Sequence, residues 1–209
     1  VRYQTEHWFA ELTYSGSFYN TKAAFLKWTN PFGLALPGTD EGQMALAPDN
    51  DYNEIALAAG WHGLPGNTTI ALSAATGKGT QETSFLPYTI NPTIATQPLP
   101  LSNLHGDVDV TRADLTVTSR PWSSLRLRGS VTYDERDNGS KQADFNSIVY
   151  ADSFLTYGDT TNPVYGFERF RVFGSADYEL LQTLDLGVGG EYRQLKRTGT
   201  EQEVSQEDF

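Results

Sequence analysis

The chain has 209 residues, a formal net charge of -11, 38% hydrophobic residues and a mean hydropathy below zero. No stretch approaches the roughly 18 consecutive apolar residues of a membrane helix, so helical spans are excluded, whereas strands that cross a bilayer by alternation are not. The acidic balance and the lack of Lys or Arg runs interleaved with aromatics exclude a surface that grips nucleic acid. The absence of cysteine excludes disulfides, thiolate metal sites and haem attached through Cys-x-x-Cys-His. Any redox cofactor would therefore be carried by another chain.

The opening VRYQTEH has no initiator Met, no charged n-region and no apolar h-region, so the chain is expected to be a fragment, residues 1–209 forming a single segment of a larger fold. Period-two alternation then predicts seven long strands at about 7–20, 52–63, 68–80, 107–120, 124–137, 166–179 and 183–197. In the first, Trp8, Ala10, Leu12, Tyr14, Gly16 and Phe18 alternate with Glu11, Thr13, Ser15 and Ser17. The second sets Ile55, Leu57, Ala59 and Trp61 against Glu54, Gly60 and His62, and the third carries Ile70, Leu72 and Ala74 on one side.

Between the second and third lies LPGN (64–67), a tight turn. The fourth strand opposes Ala113, Leu115 and Val117 to Arg112, Asp114, Thr116, Thr118 and Arg120; PWSS (121–124) turns it into the fifth. There Leu125, Leu127, Gly129, Val131 and Tyr133 alternate with Arg126, Arg128, Ser130, Thr132, Asp134 and Arg136. The sixth opposes Phe170, Val172, Ala176 and Tyr178 to Arg169, Arg171, Ser175, Asp177 and Glu179. LLQ (180–182) leads into the seventh, where Leu184, Leu186, Val188 and Tyr192 oppose Asp185, Glu191 and Arg193. The C-terminal EQEVSQEDF lacks alternation and is expected to begin a loop.

The remaining connections, about 21–51, 81–106 and 138–165, are long and rich in Asn, Asp, Pro, Gly and Thr. Loops beyond about 12–15 residues are uncommon in compact domains. Short turns at one end and long loops at the other, joined by strands longer than the usual 5–6 residues, are the anatomy of an up-and-down transmembrane β-barrel. A closed antiparallel sheet leaves no backbone edge in hydrocarbon, so the aliphatic list would face lipid and the Arg, Thr and Asp list a polar interior. Lipid-facing positions are then Leu115, Val117, Leu125, Leu127, Val131, Val172, Leu184, Leu186 and Val188. Trp8, Trp61, Trp122, Tyr133, Tyr178 and Tyr192 fall near strand ends, where amphipathic rings suit the headgroup zone.

The segments WTNPF (28–32), TQETSFLPYTINP (80–92), LPLSNLHGDVDVTRADLTVTSRP (99–121) and YDERDN (133–138) together resemble the MtrB/PioB family of decahaem-associated outer-membrane β-barrels. The resemblance runs from 28 to 138, with compatible alternation from 7 to 197, and marks the chain as an internal part of a longer barrel. It implies a non-enzymatic, porin-like sheath in the bacterial outer membrane around a periplasmic decahaem c-type cytochrome. Such a sheath supports electron transfer to or from extracellular metals, and the resemblance implies an outer-face multihaem cytochrome as a further partner. The haem would be carried by the partner; no cofactor, catalytic or metal site is expected in this chain.

In that frame the candidates for cytochrome contact on the interior are Arg112, Asp114, Arg120, Arg126, Arg128, Asp134, Arg136, Arg169, Arg171, Glu191 and Arg193. A planar guanidinium fork suits haem propionates or acidic side chains. The plainer reading of the arginines is a cross-strand charge ladder, with Arg112 opposite or diagonal to Asp134 and Arg171 near Glu191. His7, His62 and His105 are far apart in sequence, and a metal site built from them would need an improbable convergence. DNDYNE (49–54) and YDERDNGS (133–140) lack the spacing of a calcium loop and read as solvated loop, and GKGT (77–80) lacks the context of a phosphate loop. FLPYTINP reads as an ordered element: a plug, a docking surface or a Pro-stiffened strand cap. Two other functions fit the same pattern less well: a general porin with a water-filled lumen, and a soluble β-sandwich binding module with its site in the aromatic loops.

Overall fold

The computed structural model describes residues 1–31, 33, 38–151, 154–199 and 204–208; Phe32 of WTNPF and residues 201–203 and 209 of the C-terminal stretch lie outside them. The chain forms one nine-stranded antiparallel sheet and two separate two-stranded hairpins. The sheet contains β1 (Arg2–Gln4), β2 (Trp8–Tyr19), β5 (Asp49–Leu64), β6 (Thr68–Ser84), β7 (Asn103–Trp122), β8 (Leu125–Asn138), β11 (Gly166–Leu181), β12 (Leu184–Thr198) and β13 (Val204–Asp208), paired in that order. Each strand neighbours the next one of the sheet along the chain, which is up-and-down topology. The sheet is an open segment of wall, with β1 and β13 at its edges.

All seven expected strands are present, and several run further than the alternation suggested. β5 starts at Asp49, β6 reaches Ser84 and β7 begins at Asn103. DNDYNE and most of YDERDNGS are therefore strand, not solvated loop, because sheet pairing continues past the point where apolar alternation stops. The expectation of a terminal loop also fails for its described part. Val204–Asp208 pairs with Arg193–Arg197, since a polar stretch can still complete a backbone ladder.

Two of the long connections contain hairpins that the sequence reading missed. β3 (Phe25–Thr29) pairs with β4 (Glu41–Ala45), and β9 (Asp144–Ala151) with β10 (Phe154–Thr161). Both lie at one end of the sheet, together with the 85–102 connection. At the opposite end the strands are joined by Thr5–His7, Pro65–Asn67, Ser123–Ser124 and Gln182–Thr183. In the second of these, Gly66 and Asn67 both take positive φ, the left-handed region that Gly and Asn tolerate best.

FLPYTINP is ordered and ties the hairpin end together. The Phe85 ring stacks at 4.9 Å on Phe145 of β9, and the Asn146 amide donates to the Tyr88 hydroxyl at 3.1 Å. Asn91 Oδ1 accepts from the Thr93 amide at 2.9 Å and packs against Gly38, whose positive φ and missing Cβ permit the approach.

No described hydrophobic side chain is fully buried, so there is no two-layer core. Val131 is 36% exposed, Leu186 52% and Val188 73%. A soluble sandwich would seal such residues between two sheets, so that alternative has no support in the fold.

Candidate functional site

Register decides what each face of the sheet offers. One row of directly paired residues reads Ala10, Ala59, Leu72, Leu115, Val131, Val172, Tyr192 across β2, β5, β6, β7, β8, β11 and β12. Neighbouring rows on the same side hold Leu12, Leu57, Ala74, Ala113, Tyr133 and Phe170, and Trp8, Trp61, Ile70 and Val117. Leu125, Tyr178 and Leu186 pair near the tight turns, and Leu127 and Val188 both flank Ala176. Every sequence-assigned aliphatic position falls on this face. Along β8 the apolar band runs from Leu125 to Tyr133 and along β11 from Phe170 to Tyr178, close to the 9–11 residues of a tilted membrane strand. Trp8 sits directly opposite Trp61 at its tight-turn edge, with Trp122 and Tyr178 nearby.

The other face is polar, and the sequence candidates all lie on it. The row Arg112, Asp134, Arg169 crosses β7, β8 and β11, and Asp114, Thr132, Arg171, Arg193 follows one step closer to the turns. Arg112 Nε lies 3.7 Å from Asp134 Oδ1 and Arg169 Nη1 lies 3.9 Å from Oδ2, so one carboxylate serves two guanidinium groups. Arg171 Nη2 donates to Glu191 Oε2 at 2.6 Å, and Arg193 Nε donates to the other oxygen of the same carboxylate. Both acids are the more enclosed partners, 23% exposed against 46% to 59% for their arginines. The expected ladder is therefore real for Arg112, Arg169, Arg171 and Arg193.

For the remaining arginines it is not. Arg120, Arg126 and Arg128 have no ion pair among the described residues and line a cleft of about 360 Å³ at the tight-turn end. Arg136 is likewise without a carboxylate and lines a larger cleft of about 640 Å³ at the hairpin end. Tyr52, Phe85, Leu104, Val108, Val110 and Arg112 share that cleft, which makes its lining part apolar. Alternation had hidden this, because Val108 and Val110 lie on the polar side of β7. The same face of β5 and β6 is built from small residues, with Ala56 opposite Ala75 and Ala58 opposite Ser73. Arg197 also belongs to the polar face, as its parity with Arg193 signals, together with Asp177, which alternation had already placed there.

The structure brings two histidines together against expectation. The β2–β5 register, with Trp8 opposite Trp61, continues one step to set His62 beside His7: the His62 amide donates to the His7 carbonyl at 2.8 Å and the ring centroids are 6.2 Å apart. His105 is elsewhere, 3.4 Å from Glu82. Among the described residues no group of three or more His, Asp or Glu side chains converges as a metal site.

Comparison with known proteins adds an independent line. The model of the outer membrane β-barrel porin family MtrB/PioB matches residues 1–209. Among curated proteins, outer membrane protein MtrB of Shewanella baltica (strain OS185) is 27% identical over 219 residues. That alignment covers 100% of this chain and 29% of the relative, so the chain spans under a third of the length of the protein it matches. A sheet with one aliphatic and one arginine-rich face, tight turns below and elaborated loops above, is what such a barrel wall requires. The chain belongs to the MtrB/PioB family of outer membrane β-barrel porins.

Proposed function

We propose that this chain is part of a sheath that encloses a periplasmic multihaem c-type cytochrome and lets electrons cross the outer membrane. The aliphatic face is then the lipid face, and the arginine-rich face lines the bore. The observation that carries the reading is the composition of that second face. It combines ion pairs held within the wall, small residues on β5 and β6, and an apolar patch around Val108 and Val110.

Alanine and valine contribute nothing to the hydration of an open lumen, whereas they suit close packing against a protein that fills it. A haem chain cannot sit in hydrocarbon without losing the hydration of its propionates, and a polar protein wall replaces that hydration. The chain contains no cysteine and so no Cys-x-x-Cys-His haem-attachment motif.

The test is purification of the intact protein from outer membranes without denaturant. A haem protein with about ten Cys-x-x-Cys-His motifs, encoded nearby, is expected to co-purify in stoichiometric amount. Haem-free protein that conducts ions as an open pore in planar bilayers would instead establish the general porin.

A further inference from the structure

The pairing pattern separates the wall arginines into two groups, and the unpaired group is concentrated in one place. Arg128 lies between Thr118 of β7 and Ser175 of β11, with no acid opposite it on either side. Arg126 pairs in register with Asp177, yet Asp177 turns away from it toward β12. A Cβ built on Gly187 would meet Asp177 Oδ1 at 3.0 Å, so the carboxylate occupies the space that this glycine leaves. Arg120 falls in the register shift between Ser119 and Trp122, opposite the stretch of β8 between Leu125 and Leu127. Its backbone amide is anchored to the Gly66 carbonyl at 2.7 Å, which joins this corner to the neighbouring turn.

All three side chains line the same cleft, floored by Ser123 and Ser124. Asp177, Glu179 and Asp185 also border it, but none comes within ion-pair distance of the three guanidinium groups. Like charges on facing strands repel and destabilise the pairing. The ladder a few residues away removes that repulsion by sharing Asp134 and Glu191; here the bordering carboxylates form no ion pair with the three arginines.

We propose that Arg120, Arg126 and Arg128 form a carboxylate-accepting site through which the protein inside the bore is held at the tight-turn end of the wall. The inference rests on the lumen reading given above. The ligand is a carboxylate borne by that protein, a haem propionate or an acidic side chain, because three forked donors on one rigid sheet match planar carboxylate oxygens. The paired arginines have already committed their charge to the wall and contribute shape. The unpaired ones contribute attraction, so the contact is directional along the barrel axis.

The experiment uses the whole protein in detergent, with a labelled oligoglutamate peptide as probe at low salt. Replacing Arg120→Gln, Arg126→Gln and Arg128→Gln together is expected to weaken peptide binding at least tenfold. Removing the same charge elsewhere, by Lys22→Gln, Lys27→Gln and Lys141→Gln, is expected to change it less than twofold. Arg126→Gln alone should weaken binding about threefold and keeps the test open if the triple variant folds poorly.

Equal binding by the arginine variant and the parent would overturn the proposal. So would a fall in the urea unfolding midpoint of the single variants, which would make these arginines struts of the wall; relief of repulsion predicts an unchanged or higher midpoint. Substituted protein that still co-purifies with its haem protein in full yield sinks this site and leaves the sheath standing. Parent protein that binds the peptide but brings down no haem sinks the sheath and leaves the site.

Discussion

Asp134 and Glu191 are the residues on which the wall's charge balance turns, because each is enclosed by strands and faces two arginines. Removing one acid leaves two guanidinium groups facing each other, whereas removing one arginine leaves the acid with a second partner. Asp134→Asn should therefore cost more stability than Arg112→Gln, about 1 kcal/mol against a few tenths, since half-exposed pairs are individually weak. Urea unfolding of the refolded barrel measures the difference. Exchanging the charges of Arg112 and Asp134 will recover little, because the arginine introduced on β8 would face Arg169. Asn67 is a second informative position: with φ of 48° it tolerates Gly, but Asn67→Val should cost about 1–2 kcal/mol by forcing a branched side chain into the left-handed region.

The strands make a prediction that depends on parity alone. Leu115 and Thr116 are adjacent on β7 and point to opposite faces, Leu115 toward Leu72 and Val131 and Thr116 toward Ala71 and Ser130. If the aliphatic face meets lipid, Leu115→Arg should cost about 2–4 kcal/mol in vesicle refolding, and Thr116→Arg far less. Equal penalties would show that both sides meet the same medium. The β9–β10 hairpin gives a different kind of test, since its described side-chain attachments to the 85–102 segment pass through Phe85 and Tyr88. Phe85→Ala is expected to raise the rate of proteolytic cleavage within 139–165 while leaving the main sheet protected, as local opening does not require unfolding the wall.

Taken as one object, the chain is a wall that stabilises itself sideways and not inward. Its backbone is paired from β1 to β13, its aliphatic side chains remain uncovered, and both edges are open for pairing. Such a sheet is stable where hydrocarbon covers one face and neighbouring strands close the edges. In aqueous buffer without detergent, the protein is expected to aggregate, which light scattering during detergent removal would record; a monodisperse soluble species would contradict the barrel assignment.

Much of this was legible in the order of residues. Alternation at period two and turn chemistry are local properties, so Leu125 to Tyr133 and Phe170 to Tyr178 could be assigned to strands, and each side chain to a face, before any tertiary contact was known. The family motifs at 28–32, 80–92, 99–121 and 133–138 then linked that pattern to an outer-membrane barrel.

What only the folded wall decided was which neighbours actually meet. The β2–β5 register sets His62 beside His7, the register shift between Ser119 and Trp122 takes Arg120 out of the regular ladder with β8, and Asp177 fills the space beside Gly187 instead of pairing with Arg126. The hairpins β3–β4 and β9–β10 escaped notice because their strands are short and set apolar residues side by side, as in FLKWT and DFNSIVYA, so pairing held by backbone hydrogen bonds leaves no period of two to read. Faces follow from parity along one strand; partners follow from register between two, and a single extra residue in a bulge moves register without disturbing the pattern on either side.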